Sequence, residues 1–551
     1  MQEFDHIIVG AGTAGCLLAN RLSADPNRKV LLIEAGRSDN YHWIHIPVGY
    51  LYCIGNPRTD WLYRTEADPG LNGRSLLYPR GKTLGGCSSI NGMIYMRGQA
   101  RDYDHWAHLT GEDDWTWERS LPDFMGHESH YRLDSPEADP EHRRYHGHGK
   151  EWRVEKQRLR WEILDAFAKA AVQTGIPETS DFNRGTNEGV GYFEVNQRSG
   201  WRWNATKAFL RPVMSRPNLT VWTETQVERL HLEKSPTQGW QCTGAQLRRQ
   251  GQSVAVKAAR GVVLAAGAIG SVQVLELSGM GSRQTLAAAG VEVKIEHEGV
   301  GANLQDHLQI RAVYEVDGVK TLNTQANSLW GKAAIGLEYL FKRSGPMSMA
   351  PSQMGGFTRS DGQREWPNIE FHVQPLSLDA FGQPLHRFNA FTASVCNLNP
   401  SSRGTVHIKS SDCADAPAIA PNYLSTADDQ KVAADSLRVA RHIVAQPALK
   451  PYNPREIKPG VQYQTDDELV RLAGDIATTI FHPVGTTKMG KPSDPLAVVN
   501  PHLQALDGQG STIRGLHIAD AGVMPTITSG NTNSPTLLIA EKAARWILAS
   551  T

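Results

Sequence analysis

The chain of 551 residues has few cysteines, no net charge and no long apolar run, and each shortage argues against a class of protein. Its six cysteines are scattered without a CxxC pair, which indicates free thiols rather than disulfides or a cysteine-ligated metal. Basic and acidic residues balance at 57 each, so the charge predicts no nucleic-acid partner. No segment approaches the roughly 20 apolar residues of a transmembrane helix.

Length and composition indicate a globular protein of more than one domain. With 40% hydrophobic and 21% charged residues, the chain is long enough for two or more substantial cores. Only six residues precede the first apolar run, so we expect no signal peptide. We therefore expect a cytoplasmic enzyme.

The N-terminal segment has the pattern of a dinucleotide-binding βαβ unit. An apolar run ends at Gly10, and Gly12 and Gly15 complete a GxGxxG motif before a helix pattern. These glycines permit a tight turn, close approach of the backbone to a pyrophosphate, and close helix–strand packing, while the helix N-terminus attracts phosphate. Glu34 ends the second apolar run, where a carboxylate accepts hydrogen bonds from ribose hydroxyls. The alternative is an ordinary turn between a strand and a helix.

Later segments extend this unit and also interrupt it. Apolar strand patterns at 219–223 and 261–267, and a block from about 480 onward, continue the dinucleotide-binding part. Between them, the segments 369–373, 391–395 and 405–408 are typical of antiparallel strands. A helix pattern follows, with its apolar face formed by Ala433, Leu437, Ala440 and Val444.

The sequence thus predicts an α/β fold with two discontinuous domains. A Rossmann-like dinucleotide-binding domain is expected from residues 1–150, 205–315 and 460–551. An inserted α+β substrate domain with an antiparallel sheet is expected from residues 151–204 and 316–459.

Several motifs in order along the chain resemble the signatures of the glucose–methanol–choline (GMC) flavoprotein oxidoreductases. They are the stretches 79–92, 267–281, 299–307 and 482–487, together with 530–535. One departure is Val272, which stands where proline is usual. The chain is similar to bacterial FAD-dependent alcohol and choline dehydrogenases over nearly its whole length. The resemblance implies FAD as cofactor and an alcohol as substrate.

The resemblance also implies which residues bind FAD, with the loop 79–92 passing the isoalloxazine ring. Some members attach FAD through a histidine immediately before the asparagine that matches Asn91. Because Ile90 stands there, we expect non-covalent FAD, and we interpret Cys87 as a small loop residue rather than a redox thiol. The expected cofactor-binding residues are Gly10, Gly12, Thr13, Ala14, Gly15, Glu34, Ala35, Arg80, Thr83, Gly86, Asn91, Gly92, Met93, Ile94, Val227, Ala266, Gly267, Asp520, Ala521, Thr532 and Asn533.

His482 matches the catalytic histidine of the family. An alcohol with a pKa near 15.7 does not release hydride readily while protonated, and full deprotonation by an imidazole of pKa ~6.5 would cost ~12 kcal/mol. Proton transfer to His482 is therefore expected to accompany hydride transfer to flavin N5. The paired position is histidine or asparagine in the family. Asn531 fits its spacing better than Asn533, and we expect Asn531 to orient the substrate oxygen.

The C-terminal helix and the histidine-rich stretch lead to two further expectations. Ser534 is a suitable N-cap and Pro535 a suitable first helical residue, so the helix is expected to begin there, with its dipole toward the flavin. The histidines at 142, 146 and 148 invite a metal site, but no accompanying cysteine or carboxylate set supports one. We predict no metal.

Substrate and electron acceptor are less closely determined by the sequence. The stretch 352–356 offers no acidic residue for a quaternary ammonium, which favours a neutral primary alcohol, aliphatic or benzylic, over choline. Ile94 and Ile480 are bulky enough to hinder oxygen near the flavin, which favours a dehydrogenase with a quinone or another carrier as acceptor. An oxygen-using alcohol oxidase and a non-redox cyanohydrin lyase on the same scaffold are the alternatives.

Overall fold

The computed structural model describes residues 1–379 and 382–550. The strands are β1 (Gln2–Val9), β2 (Val30–Ile33), β3 (Glu128–His130), β4 (Trp152–Lys156), β5 (Gly189–Tyr192), β6 (Glu194–Val195), β7 (Gln197–Arg198), β8 (Trp201–Arg202), β9 (Leu219–Trp222), β10 (Thr225–Ser235), β11 (Gly239–Arg249), β12 (Gln252–Leu264), β13 (Met280–Gly281), β14 (Ile295–Glu296), β15 (Leu308–Glu315), β16 (Met354–Thr358), β17 (Ile369–Gln374), β18 (Ala390–Asn397), β19 (Thr405–His407), β20 (Ala418–Ala420), β21 (Arg455–Lys458), β22 (Thr478–Thr479), β23 (Gln504–Leu506) and β24 (Thr512–Ile518). The helices are α1 (Thr13–Leu22), α2 (His42–His45), α3 (Tyr50–Cys53), α4 (Ala100–Thr110), α5 (Trp117–His127), α6 (Pro140–Tyr145), α7 (Glu162–Gln173), α8 (Gly267–Leu277), α9 (Arg283–Ala288), α10 (Leu322–Ala326), α11 (Leu329–Lys342), α12 (Ala427–Val444), α13 (Asp466–Ile476) and α14 (Asn533–Ala549).

The first large sheet is the dinucleotide-binding part of the fold. Its strands run in the order β10-β11-β24-β12-β1-β2-β9, with β23 paired to β24. The strands β9, β2, β1, β12 and β24 are parallel. The inner strands β1 and β2 are almost wholly apolar and buried at their carboxyl ends, as expected for a parallel sheet covered on both faces.

The register of this sheet brings four chain segments to one edge. Val9 of β1 pairs with Ile33 of β2 and with Leu264 of β12, and Leu264 pairs with Ile518 of β24. The residues that follow these strands therefore meet at the carboxyl edge, where open α/β sheets bind ligands.

The second large sheet is antiparallel, in the order β21-β15-β18-β17-β16-β5, with β22 paired to β15. One of its faces is apolar: alternate residues of β15, β17 and β18 join a core with α7 and α12. The opposite face carries polar side chains in the central strands. The predicted α/β fold with an antiparallel second sheet is confirmed.

The two large sheets indicate where the chain passes from one predicted domain to the other. The predicted boundary at 315/316 falls after β15, but β15 belongs to the second sheet, and so does β22 at 478–479. We therefore propose domain boundaries near residues 307 and 480. The predicted strand at 405–408 forms as β19, but it pairs with β20 in a separate two-stranded sheet.

The last helix begins slightly earlier than the sequence suggested. It starts at Asn533, with Thr532 rather than Ser534 in the N-cap position, and no side chain caps it. The predicted helix around 433–444 is present as α12, and its apolar residues lie in the core beside the second sheet.

Candidate active site

One elongated cavity runs from the carboxyl edge of the first sheet to the polar face of the second. At its first end lies the turn after β1. Gly10 has φ +97°, and a Cβ there would lie 2.6 Å from the carbonyl oxygen of Ala265, so the turn requires glycine. Gly15 does not line the cavity; its role is packing, because a Cβ would lie 1.8 Å from the carbonyl oxygen of Gly10.

Glu34 stands at the end of β2 and lines the same cavity. Its carboxylate accepts hydrogen bonds from the backbone of Ala11 at 3.0 Å and of Gly36 at 2.8 Å. Burial raises the pKa of this carboxyl to about 7, against the opposing effect of the two hydrogen bonds. The carboxylate therefore holds the glycine-rich turn in place while it also faces the cavity.

The loop 79–92 crosses over the glycine-rich turn. Gly86 has φ +50°, and a Cβ on it would lie 2.7 Å from the Cα of Gly12, so the two backbones are in contact. Met93 follows with φ +63°, a conformation that a residue with a side chain rarely adopts. Thr83 does not line the cavity and instead donates to the carbonyl of Arg37. Cys87 and Ile90 both line the cavity.

The segment before and at the start of α14 closes the cavity from the C-terminal side. The Thr13 hydroxyl donates to Asn533 Oδ1 at 2.8 Å, which leaves Asn533 Nδ2 buried without a partner among the described residues. Asp520 also lines the cavity, but its oxygens accept from Gly267, Ser271 and Gly522. Asp520 thus fixes the start of α8 at the cavity wall.

His482 is held at the far end of the cavity by a buried carboxylate. Its backbone N–H donates to Asp306 Oδ1 at 2.8 Å. Asp306 Oδ2 accepts from three hydroxyls, those of Tyr78, Thr479 and Tyr423. The residue before His482, Phe481, has φ +71° and accepts from Arg80 at its carbonyl, so the backbone around the imidazole is fixed from both sides.

A chain of hydrogen bonds assigns the tautomer of His482. The carbonyl of Leu398 lies 3.0 Å from His307 Nε2, so this nitrogen carries the proton. A neutral His307 then accepts at Nδ1 from His482 Nδ1, which lies 3.0 Å away. His482 Nε2 is left as an acceptor and receives a hydrogen bond from Asn531 Nδ2 at 3.1 Å. His482 Nε2 is thus the unprotonated nitrogen of the imidazole, and it lies beside Asn531.

The surroundings also favour the neutral imidazole. Burial lowers the pKa of His482 well below its ordinary value, and the positive charge of Arg80 lowers it further. Burial lowers the pKa of His307 as well. Asn531 Oδ1 is buried without a hydrogen-bond partner among the described residues, although both residues line the cavity. His482 Nε2 and Asn531 Oδ1 are therefore the two acceptor atoms that this pair can offer to a ligand.

The polar face of the second sheet forms the wall near His482. Gln309 and Arg311 of β15 and His372 and Gln374 of β17 line the cavity. The sequence analysis did not identify these four side chains. The available signal was alternation, because Gln309, Arg311 and His372 each stand between residues of the apolar core. Alternation alone does not say whether the polar face meets solvent or a ligand.

Almost all sequence-predicted site residues lie around this one cavity. Apart from Gly15 and Thr83, the structure places both predicted catalytic residues and all predicted cofactor-binding residues in its lining. These residues come from positions as far apart as 10 and 533. Sequence reasoning missed Asp306 and His307 as supports of His482, although both stand in a motif that it had singled out.

Two clusters have metal-ligating side chains within reach of one another: Glu128 with His130 and His146, away from the cavity, and Glu370 with His372 and Cys396, of which His372 lines the cavity. In the first, Glu128 also pairs with the buried Arg97 and His146 with Asp181. The prediction of no metal stays a prediction. No helix in the described ranges is long and apolar enough to cross a membrane.

The cavity suits a dinucleotide with a flat ring system. Three features would bind phosphates and polar ring atoms. They are the backbones of Gly12 and Gly86, which carry no side chains, the N-terminal end of α1, and the unpaired Nδ2 of Asn533. Asn91, Met93 and Thr532 would border the ring near His482. These features fit FAD.

Comparison with known proteins agrees with this assignment. Models of the GMC oxidoreductase family match residues 4–309 and 400–540. Alcohol dehydrogenase [acceptor] from Pseudomonas putida is 38% identical over 546 residues, covering 99% of this chain and 96% of the relative. An oxygen-dependent choline dehydrogenase from Staphylococcus aureus is 36% identical, covering 98% and 93%. The crystal structure of pyridoxine 4-oxidase from Mesorbium loti matches with a TM-score of 0.86 and 31% identity, covering 98% of each chain.

The matching family models together span well over half of the chain, and the relatives match along nearly all of it. FAD is the cofactor of this family. The chain belongs to the GMC oxidoreductase family of FAD flavoproteins.

Proposed function

We propose that this protein oxidises a primary alcohol, aliphatic or benzylic, to the aldehyde, with His482 as the general base. The observation that carries the proposal is the hydrogen-bonded chain from Leu398 through His307 to His482, which leaves His482 Nε2 as an acceptor beside Asn531. The relatives named as alcohol and choline dehydrogenases support an alcohol as substrate.

Each residue of the pair would have a distinct role. The alcohol hydroxyl would donate to His482 Nε2, and Asn531 Nδ2 would donate to the alcohol oxygen in place of its present bond to the imidazole. An amide adds a donor but no second base, so proton removal depends on His482. When bound, FAD supplies the hydride acceptor. The proton taken up at Nε2 makes the imidazole cationic, next to the start of α14.

We propose that the cofactor is held without a covalent bond. The isoleucine at position 90 lines the cavity, and its aliphatic side chain has no nucleophile for the flavin. The residues expected to hold FAD are those at the carboxyl edge of the first sheet, the loop 79–92, and the segment 531–533.

We propose a carrier other than oxygen as electron acceptor. Ile94 and Ile480 both line the cavity, as their proposed role in hindering oxygen requires. The two relatives differ on this point, since one is named for an acceptor and the other as oxygen-dependent.

One anaerobic stopped-flow experiment tests these proposals. Holoenzyme is mixed with primary alcohols, and loss of the oxidised-flavin absorbance reports oxidation. His482→Ala should keep its FAD but reduce the flavin about 10² to 10⁴ times more slowly, the usual size of a general-base effect. His297→Asn, which replaces another buried histidine away from the cavity, is the control.

Two outcomes would contradict the proposal. A His482→Ala enzyme that reduces its flavin at the wild-type rate removes this residue from the mechanism. Persistent oxidised flavin during turnover of a cyanohydrin would indicate a lyase. In a second mixing step, air-saturated buffer is added to the reduced enzyme, and reoxidation as fast as turnover would make it an oxidase.

A further inference from the structure

The polar wall of the cavity contains a row of three side chains on adjacent strands. Arg311 of β15 pairs in register with Ser394 of β18, and Ser394 pairs with His372 of β17. Neighbouring strands lie about 4.8 Å apart, so the three side chains stand next to one another on the same face. We call them the Arg311 row. Its two ends, Arg311 and His372, line the cavity.

The Arg311 row has hydrogen-bonding capacity that the protein does not use. Arg311 Nη2 and Ser394 Oγ are both buried and have no hydrogen-bond partner in the part of the chain that the structure describes. A buried polar group without a partner costs about 1–3 kcal/mol, and more when it is charged. Such groups persist in native proteins when a ligand or ordered water satisfies them.

The charge of Arg311 is not balanced by a carboxylate. Within residues 1–379 and 382–550 no carboxylate forms an ion pair with it; burial lowers the pKa of Arg311, and the one titratable partner that opposes this effect is the phenol of Tyr50. Burial raises the pKa of Tyr50, and the charge of Arg202 opposes this effect. Arg202 Nε and Nη2 are likewise buried without hydrogen-bond partners among the described residues. Glu370, on the same sheet face, lies 3.1 Å from His372 and does not line the cavity. This end of the cavity is therefore positive.

We propose that the Arg311 row binds a carboxylate carried by the alcohol substrate. The inference rests on the proposed function and replaces the expectation of a neutral alcohol. A guanidinium binds a carboxylate through two parallel N–H donors, and Ser394 Oγ supplies a third donor beside it. The positive field that favours a carboxylate also disfavours a cationic substrate such as a quaternary ammonium alcohol.

The sheet sets the length of the substrate. Arg311 follows His307 by four residues, which at about 3.4 Å per residue separates their Cα atoms by about 14 Å along the strand. His307 contacts the base directly, so the carboxylate lies well away from the reacting carbon. The Arg311 side chain covers part of this separation, and an extended hydroxy acid such as 6-hydroxyhexanoate can cover the rest, whereas glycolate is too short.

The test compares an acid with its uncharged isostere. Binding of 6-hydroxyhexanoate and of 6-hydroxyhexanamide is measured by anaerobic isothermal titration calorimetry with holoenzyme whose flavin has been reduced beforehand, so that neither probe is oxidised during the titration. The wild-type enzyme should bind the acid about 10 to 100 times more tightly than the amide, as expected for a charged hydrogen-bonded pair. Arg311→Gln should abolish this preference with little change for the amide, and Arg311→Lys should keep part of it.

Two further variants separate the local effect from general ones. Arg455→Gln removes the same charge from the neighbouring strand β21, where Arg455 is exposed and paired with Asp317, and should leave the preference unchanged. Ser394→Ala deletes only a hydroxyl and should weaken acid binding a few-fold; it provides a test if Arg311→Gln does not fold.

The outcomes distinguish this inference from the proposed function. Failure of the acid to bind, equal binding of acid and amide, or a preference that survives in Arg311→Gln would overturn the inference. Flavin reduction by either probe is followed separately. If the acid binds through Arg311 but no alcohol reduces the flavin, the anion site stands and the proposed function fails.

Discussion

His307 provides a direct test of how the structure prepares the base. It accepts a hydrogen bond from His482 Nδ1 at 3.0 Å and so keeps the proton away from Nε2. In His307→Leu this acceptor is gone, and the tautomer with Nδ1–H would carry a buried donor without a partner. The other tautomer, with Nε2–H, remains satisfied once the Asn531 amide turns its oxygen toward it.

The expected loss follows from this difference. An unpaired buried donor costs about 1–3 kcal/mol, and 1.36 kcal/mol corresponds to a factor of ten. The competent tautomer should therefore become about 5 to 150 times less populated, and flavin reduction should slow by the same factor. His307→Asn retains an acceptor oxygen near the position of Nδ1 and should lose less than about tenfold.

Anaerobic stopped-flow reduction by a saturating primary alcohol measures both variants, and the flavin spectrum reports cofactor content. The control is His297→Asn, a buried histidine that bonds to a backbone carbonyl away from the cavity. A His307→Leu enzyme with full FAD and a wild-type rate would refute the reasoning. Equal losses in the Leu and Asn variants would mean that packing around His307, rather than its acceptor, governs the rate.

Two further predictions concern pH and cofactor attachment. Burial and the positive charge of Arg80 lower the pKa of His482, so the imidazole stays neutral as pH falls past its ordinary value of about 6.5. Flavin reduction should therefore remain constant through that pH and decline only below it, and an acid limb at or above 6.5 in the pH–rate profile would contradict this. Acid precipitation of the holoenzyme should leave all flavin absorbance in the supernatant because Ile90 forms no bond to FAD, and colour retained in the pellet would show a covalent link.

The sequence alone was sufficient for the dinucleotide-binding part of the fold. Gly10 and Glu34 act through local geometry, a tight turn after one strand and a carboxylate at the end of the next, and local geometry is written in residue type and spacing. The apolar runs of β1, β2 and β12 and the periodicity of α12 likewise depend on burial patterns visible in one dimension.

The family motifs extended these predictions to the C-terminal part of the chain. They predicted that His482 and Asn531 act together, and the structure places their side chains 3.1 Å apart. The start of α14 was misplaced by two residues, because Ser534 is a plausible cap by composition while the backbone turns into the helix at Thr532.

Tertiary structure alone decided what surrounds the base and what meets the substrate. The tautomer of His482 depends on His307 and Leu398, which come from separate segments and meet only in the fold. Arg311, Ser394 and His372 are distant in sequence and become neighbours through strand register. Alternation identifies a polar sheet face, but only the packing of the two sheets shows that this face lines the cavity. For this reason the sequence alone did not show that Arg311 places its charge in the cavity wall.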